Sequence, residues 1–286
     1  MSKRVMVGIP MALATLLLLW CDHRYLQHPW GLWTLYVVGL TAGMREYLRL
    51  HEHGGDRLPV PMVCGMTALL CIAHVLELWQ GRPLGPGASS LPELVLVGFM
   101  ILFMSAEVVR GDPARFRLIS ILFLGFFYIF VLGHYSMRIR HLPRIGEAAF
   151  LWWIVVSKST DAMAYFTGRS VGRHKLVPKV SPGKTIEGAI GGLVFGGAIG
   201  LVVWHFTNLH EELPLAVFIP LSLVVQVMGQ FGDLVESLMK RSVAVKDSSK
   251  MLPGLGGVLD VIDCLLVAAP VAYYGIPLAI RLKTHF

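Results

Sequence analysis

Residues 232–264 read GDLVESLMKRSVAVKDSSKMLPGLGGVLDVIDC. The segment begins at the end of one apolar run and finishes inside another. Between the two lie Lys240, Arg241, Lys246 and Lys250 and the turn Pro253-Gly254. Asp233 and Glu236 stand at one end, Asp260 and Asp263 at the other. An ionisable group at membrane depth is expensive and marks a functional position by default. Acids on both sides of a basic, glycine-kinked loop point to a divalent metal carrying phosphates.

The flanking runs set the fold class. Of the 286 residues, 55% are hydrophobic and only 15% charged. That balance excludes a soluble globular domain and predicts an all-α, polytopic integral membrane protein. Apolar runs centre near Val37, Thr67, Phe99, Phe123, Trp153, Phe195, Leu223 and Val267. The second run of the chain, near Val37, is short and interrupted by Gly39 and Gly43. Ahead of these, MSKRVMVGIPMALATLLLLW has a positive start and an apolar run with no small-x-small cleavage site, and reads as a retained first helix. The total is about nine transmembrane helices of roughly 20 residues each.

A formal net charge of +7 does not call for nucleic acid, because the basic residues lie in loops between apolar runs. They report topology first and anionic ligands second. With nine spans, one side gathers the cations near residues 3–4, 45–57, 110–117, 169–184 and 240–250. The other holds only Arg24, Arg82, Arg138, Arg140, Arg144, Arg281 and Lys283. The richer side is expected to be cytoplasmic, with the N-terminus inside and the C-terminus outside. Cys21, Cys64, Cys71 and Cys264 sit in or beside apolar segments with no CxxC or Cys/His spacing, and are expected to be packed thiols.

Two regions are expected, an N-terminal transmembrane scaffold over 1–145 and a catalytic transmembrane region with cytoplasmic motif loops over 146–286. The first offers little chemistry. His51 and His53 are two apart and do not share a helix face, so with Gly54-Gly55 beside them they read as a solvated loop. Glu107 and Asp112 mark a span end, and Gly85-Pro86-Gly87 a flexible outside loop. There is no internal repeat or low-complexity tract.

The second region is richer. Lys158, Asp161 and Tyr165 fall on one helical stripe, either an internal ion pair or a polar wall of the site. Gly183-Lys184-Thr185 fails as a P-loop, since Pro178 stands where the motif needs glycine. Ser181 as N-cap, Pro182 at the first helical position and Lys184 and Thr185 in the first turn would make an anion site instead. Arg169, Arg173, Lys175 and Lys179 would raise its potential. Gly188, Gly192, Gly196 and Gly200 follow every fourth residue, which lets two helices approach closely in lipid. Asp233, Glu236 and Lys240 share a helix face beside Ser237, and Asp260 and Asp263 are likewise one turn apart.

The runs Ser237–Arg241, Lys246-Asp247 and Pro253–Asp263 resemble the C-terminal signature of the phosphatidate cytidylyltransferases (CDP-diacylglycerol synthases). Ser181-Pro182-Gly183-Lys184-Thr185-Ile186-Glu187-Gly188, Asp161–Tyr165 and Gly232–Ser237 match the family's other markers. The resemblance covers about residues 150–275 in motif order. It implies attack of a phosphatidate phosphate oxygen on the α-phosphorus of CTP, with Mg2+, in a homodimer. The sequence leaves room for a monovalent cation beside the Mg2+, and the loop charges point to the inner membrane and to no nucleic acid. It places the metal on Asp233, Asp260 and Asp263, and the reaction on Asp233, Asp260, Lys184 and Lys240. Substrate contacts would come from Asp161, Ser181, Thr185, Glu187, Glu236, Ser237, Arg241, Lys246 and Asp247. The chain departs from the pattern at Leu255, commonly histidine, at Val261, commonly arginine, and at Met163, often glycine or phenylalanine. A non-catalytic or substrate-altered relative, or a transporter of an anionic solute, is the competing reading.

Overall fold

The computed structural model describes residues 28–53, 58–81, 91–112, 116–245, 249 and 256–283, together with positions 14, 17, 21, 22 and 24. Long helices occupy the expected apolar runs: α1 (Trp30–His53), α2 (Val60–Trp79), α3 (Leu91–Arg110), α4 (Phe116–Arg140), α5 (Gly146–Val171), α6 (Ile186–Phe206), α7 (Leu215–Ser242) and α8 (Val258–Leu282). Among the described residues, six of these are long and apolar enough to cross a membrane, α2, α3, α4, α6, α7 and α8. The chain is an all-α, multi-pass membrane protein. The expected first helix lies mostly outside the described residues.

The chain packs as two compact units, one of Met1–His134 with Val243–Val261, the other of Tyr135–Ser242 with Ile262–Phe286. In the first, α1 passes unbroken through Gly39 and Gly43. A glycine inside a helix costs only about 1 kcal/mol against alanine, which packing outweighs. Met44, Tyr47 and Leu48 are wholly buried on α1, and the Tyr47 hydroxyl donates to the Ile121 carbonyl of α4 at 2.9 Å. Gly125 makes room for that ring, since a Cβ there would stand 2.6 Å from a Tyr47 ring carbon. Just beyond, Phe126–Val131 widens into a π-helical segment that buries Phe126, Tyr128, Ile129 and Phe130. The expected loop at His51–His53 is instead the last turn of α1, where the His51 ring meets Tyr47 edge-on at 4.8 Å. The spacing of the two histidines says only that they do not share a helix face, and the Tyr47 contact holds the His51 ring on the helix.

In the second unit α5 and α6 pack along the glycine ladder. A Cβ at Gly188 would come 2.7 Å from the Ala164 carbonyl, and one at Gly192 2.7 Å from that of Thr160. Backbone therefore lies on backbone, as small-residue spacing allows. The Thr160 hydroxyl reaches α7 through Gln226 Oε1 at 2.9 Å, giving a buried polar group its partner. α7 and α8 touch at Gly232, where any side chain would run into the Asp263 carbonyl.

Between α5 and α6 the chain forms an antiparallel hairpin, β1 (Lys175–Val177) and β2 (Ser181–Thr185). This corrects the expected helix start. Ser181 and Pro182 are extended, α6 begins at Ile186, and Thr185 is its N-cap, accepting from Gly188 N–H at 3.1 Å. Ser181-Pro182 and Thr185 both offer capping chemistry. The strand pairing of Lys175 with Thr185 favours the second.

Candidate active site

The second unit brings most of the expected residues together. The close approach at Gly232 sets α7 acids against α8, so that Asp233, Glu236 and Asp263 offer carboxylate oxygens within 4.8 Å of one another. A second group at the same spacing shares Asp263 and adds Asp161 from α5 and Cys264. Asp263 and Glu236 are buried, while Asp233 and Asp161 are half-buried.

Cations from three elements, β2, α7 and α5, meet this group. Lys184, carried by β2, places Nζ 2.7 Å from Asp233 Oδ2 and 3.4 Å from the Gln230 carbonyl. Gln230 in turn donates to the Ala189 carbonyl at 3.1 Å, which links α7 to the first turn of α6. One turn beyond Asp233, Lys240 and Glu236 form a 2.6 Å pair in which Glu236 is 1% exposed. A charge so buried holds its ionised form only with a partner. From α5, Lys158 Nζ lies 3.1 Å from Cys264 Sγ. The Ser237 hydroxyl stands 3.5 Å from Asp233 Oδ1, and Arg241 Nε donates to the Val180 carbonyl at 3.3 Å.

Not every expected residue faces the group. Glu187 holds the hairpin, accepting from the backbone N–H of Arg173 at 3.0 Å and of His174 at 3.2 Å, with His174 Nδ1 at 2.6 Å. The Thr185 hydroxyl serves as helix cap. Asp260 belongs to the first unit, where its Oδ2 accepts from Gly257 N–H at 2.7 Å in the first turn of α8. Ser181 is half-buried at the start of β2, and Tyr165 is exposed with its hydroxyl 3.1 Å from Arg169. Val261 sits in the first turn of α8. Lys246, Asp247 and Leu255 lie outside the described residues.

Cys264, Gln230 and His174 contribute without having been singled out for it. Cys264 adjoins Asp263 and fits a packed thiol equally well by sequence. Only the approach of α5 brings Asp161 to it.

The donor set fits a hard divalent cation. Three carboxylates take part of its shell and leave positions for phosphate oxygens and water. Lysines beside carboxylates, on a hairpin and two helices, would suit a metal-chelated polyphosphate.

Comparison with known proteins agrees. The model of the cytidylyltransferase family matches residues 2–278. The phosphatidate cytidylyltransferase of Bacillus subtilis (strain 168) is 33% identical over 276 residues, covering 96% of this chain and 97% of that protein. That of Haemophilus influenzae is 42% identical over 150 residues, covering 51% of this chain and 52% of its own. The uncharacterized protein YnbB of Escherichia coli (strain K12) is 39% identical over 185 residues, 63% of this chain and 60% of that protein. With its carboxylates and lysines gathered on the matched helices, the chain belongs to the cytidylyltransferase family.

Proposed function

We propose that the protein transfers CMP from CTP to phosphatidate, giving CDP-diacylglycerol and pyrophosphate, at the cytoplasmic face of the cell membrane. One observation carries the reading: Lys184 Nζ stands 2.7 Å from Asp233 within a group of carboxylates that accommodates a divalent cation. The near full-length relation to the Bacillus subtilis phosphatidate cytidylyltransferase supports the choice of acceptor.

In this reading Asp233, Glu236 and Asp263 hold Mg2+, and Asp260 adds a carboxylate one turn earlier on α8. Bound there, Mg2+ would neutralise charge on the CTP phosphates and make the α-phosphorus more electrophilic. Asp161, Asp263 and Cys264 are where an additional monovalent cation is assigned. Lys184, Lys240 and Arg241 hold phosphate oxygens, with Ser181, Ser237, Lys246 and Asp247 as further contacts. Glu187 and Thr185 act by fixing the hairpin and the start of α6. A phosphatidate phosphate oxygen forms the new bond to the α-phosphorus, and the bond from that phosphorus to the bridging oxygen breaks, releasing pyrophosphate. No protein nucleophile is needed and none is assigned. The acting form is a homodimer, with the N-terminus in the cytoplasm.

Membranes holding the protein, given labelled CTP, phosphatidate and Mg2+, should form lipid-linked CMP and pyrophosphate in equal amounts. Asp233→Asn and Asp260→Asn should each abolish both. Absence of product from the wild type would overturn the proposal, and uptake of solute into vesicles without product would favour a carrier.

A further inference from the structure

Glu46 is a buried carboxylate for which the reaction has no use. It lies on α1, far in sequence from the motifs, and is 2% exposed. Its Oε2 accepts from the Leu259 N–H of α8 at 2.8 Å, and its Oε1 from the Ser249 hydroxyl at 2.7 Å. The first N–H groups of a helix have no partner within the helix, and a carboxylate set against them satisfies one while meeting the positive end of the helix dipole.

The two glycines of the signature fit this contact. A Cβ on Gly257 would strike the Glu46 carboxylate, 2.7 Å from its Cδ even by the second-nearest atom. Gly256 takes φ +94°, and a Cβ there would stand 2.5 Å from Asp260 Oδ2. Gly257 N–H itself donates to that same oxygen. The start of α8 is thus gripped by two carboxylates, Asp260 from within its first turn and Glu46 from α1, with glycine wherever a side chain would part them.

We propose that Glu46 is a positioning residue for the metal-bearing end of α8, fixing the rotation and height of the turn that carries Asp260 and holding Ser249 to α1. This rests on the phosphoryl-transfer reading above. Partners behind a metal ligand typically change metal affinity or activity by about 10–100-fold when removed. Glu46 acts through α8 and touches neither substrate nor metal in this account.

The test uses full-length protein in detergent or proteoliposomes. Glu46→Ala should lower kcat by about 10–100-fold and raise the Mg2+ concentration for half-activity by about tenfold. KM for CTP should stay within about twofold of wild type. Glu46→Gln, which keeps one acceptor oxygen, should fall between, and Ser249→Ala should lose only about two- to threefold, the scale of one hydrogen bond. Hydrogen exchange supplies a readout free of catalysis: amides of 257–260 should exchange faster in Glu46→Ala without ligand, with those of α5 and α6 unchanged. Unchanged exchange at 257–260, or full kcat with an unshifted Mg2+ requirement, overturns the proposal. Should Glu46→Ala fail to fold, Glu46→Gln and Ser249→Ala carry the same comparison. If the wild type makes no product while exchange at 257–260 still responds, the assigned reaction fails and the grip on α8 stands.

Discussion

Lys240 and Glu236 occupy one helix turn of α7 in surroundings with little water, and each shapes what the other costs. Replacing Lys240 by Met strips Glu236 of this cation, and losing one member of a buried ion pair destabilises by about 3–5 kcal/mol. Thermal unfolding in detergent should show that loss, and the double change Lys240→Met with Glu236→Gln should recover most of it. Lys184 behaves differently, because its side chain is 25% exposed and Asp233 30%. Lys184→Met should leave stability within about 1 kcal/mol, as for exposed pairs, while lowering kcat/KM for CTP by about a hundredfold or more, the scale of a lost clamp on transition-state charge. Measuring unfolding and kcat/KM for both variants separates each lysine's share in the fold from its share in holding phosphate. Asp233, Glu236 and Lys240 were legible as one face from spacing alone. Glu46 was not, because its partners Ser249 and Leu259 are more than 200 residues away and no local pattern marks them.

At the scale of elements, the seam between α5 and α6 is the most constrained surface in the second unit. Gly192→Val would force a branched side chain against the Thr160 carbonyl. Overpacking of this kind typically costs about 1–3 kcal/mol, and the shift should be readable as a lowered unfolding midpoint. The contact of α7 with α8 at Gly232 bears on the site as well. Gly232→Ala sets a Cβ against the Asp263 backbone carbonyl, so it should lower the midpoint by an overpacking cost of about 1–3 kcal/mol and also displace Asp233 and Glu236 from Asp263. A misplacement of about 1 Å in a reacting site can cost on the order of a hundredfold in kcat. The glycine ladder announced the first seam in sequence. The hairpin escaped it, for β1 is only three residues long and both Ser181 and Thr185 carry capping hydroxyls. Pairing between strands decided among them, and that is a tertiary fact.

For the molecule as a whole, the charge asymmetry of the loops makes a claim about sidedness. A single cysteine introduced at Lys179, on the hairpin, should react with a membrane-impermeant thiol reagent in inside-out vesicles and be protected in intact cells. One introduced at Glu211, in the connection between α6 and α7, should show the reverse. Equal labelling from both sides would remove the topology. Chelation by EDTA should abolish activity in the same vesicles, with Mg2+ restoring it, as the carboxylate donor set requires. The runs that cross the membrane could be read from composition, since backbone in lipid leaves little choice besides helices. The way the chain partitions could not, because the first unit recruits Val243–Val261 from between α7 and the larger part of α8, which both belong to the second unit. A polypeptide severed between α4 and α5 would therefore not yield two self-sufficient fragments. The leading fragment would lack Ser249 and Leu259, leaving the buried Glu46 carboxylate without these two donors. Made singly, such fragments should be cleared by cellular proteases, and made together they should reassemble by complementation.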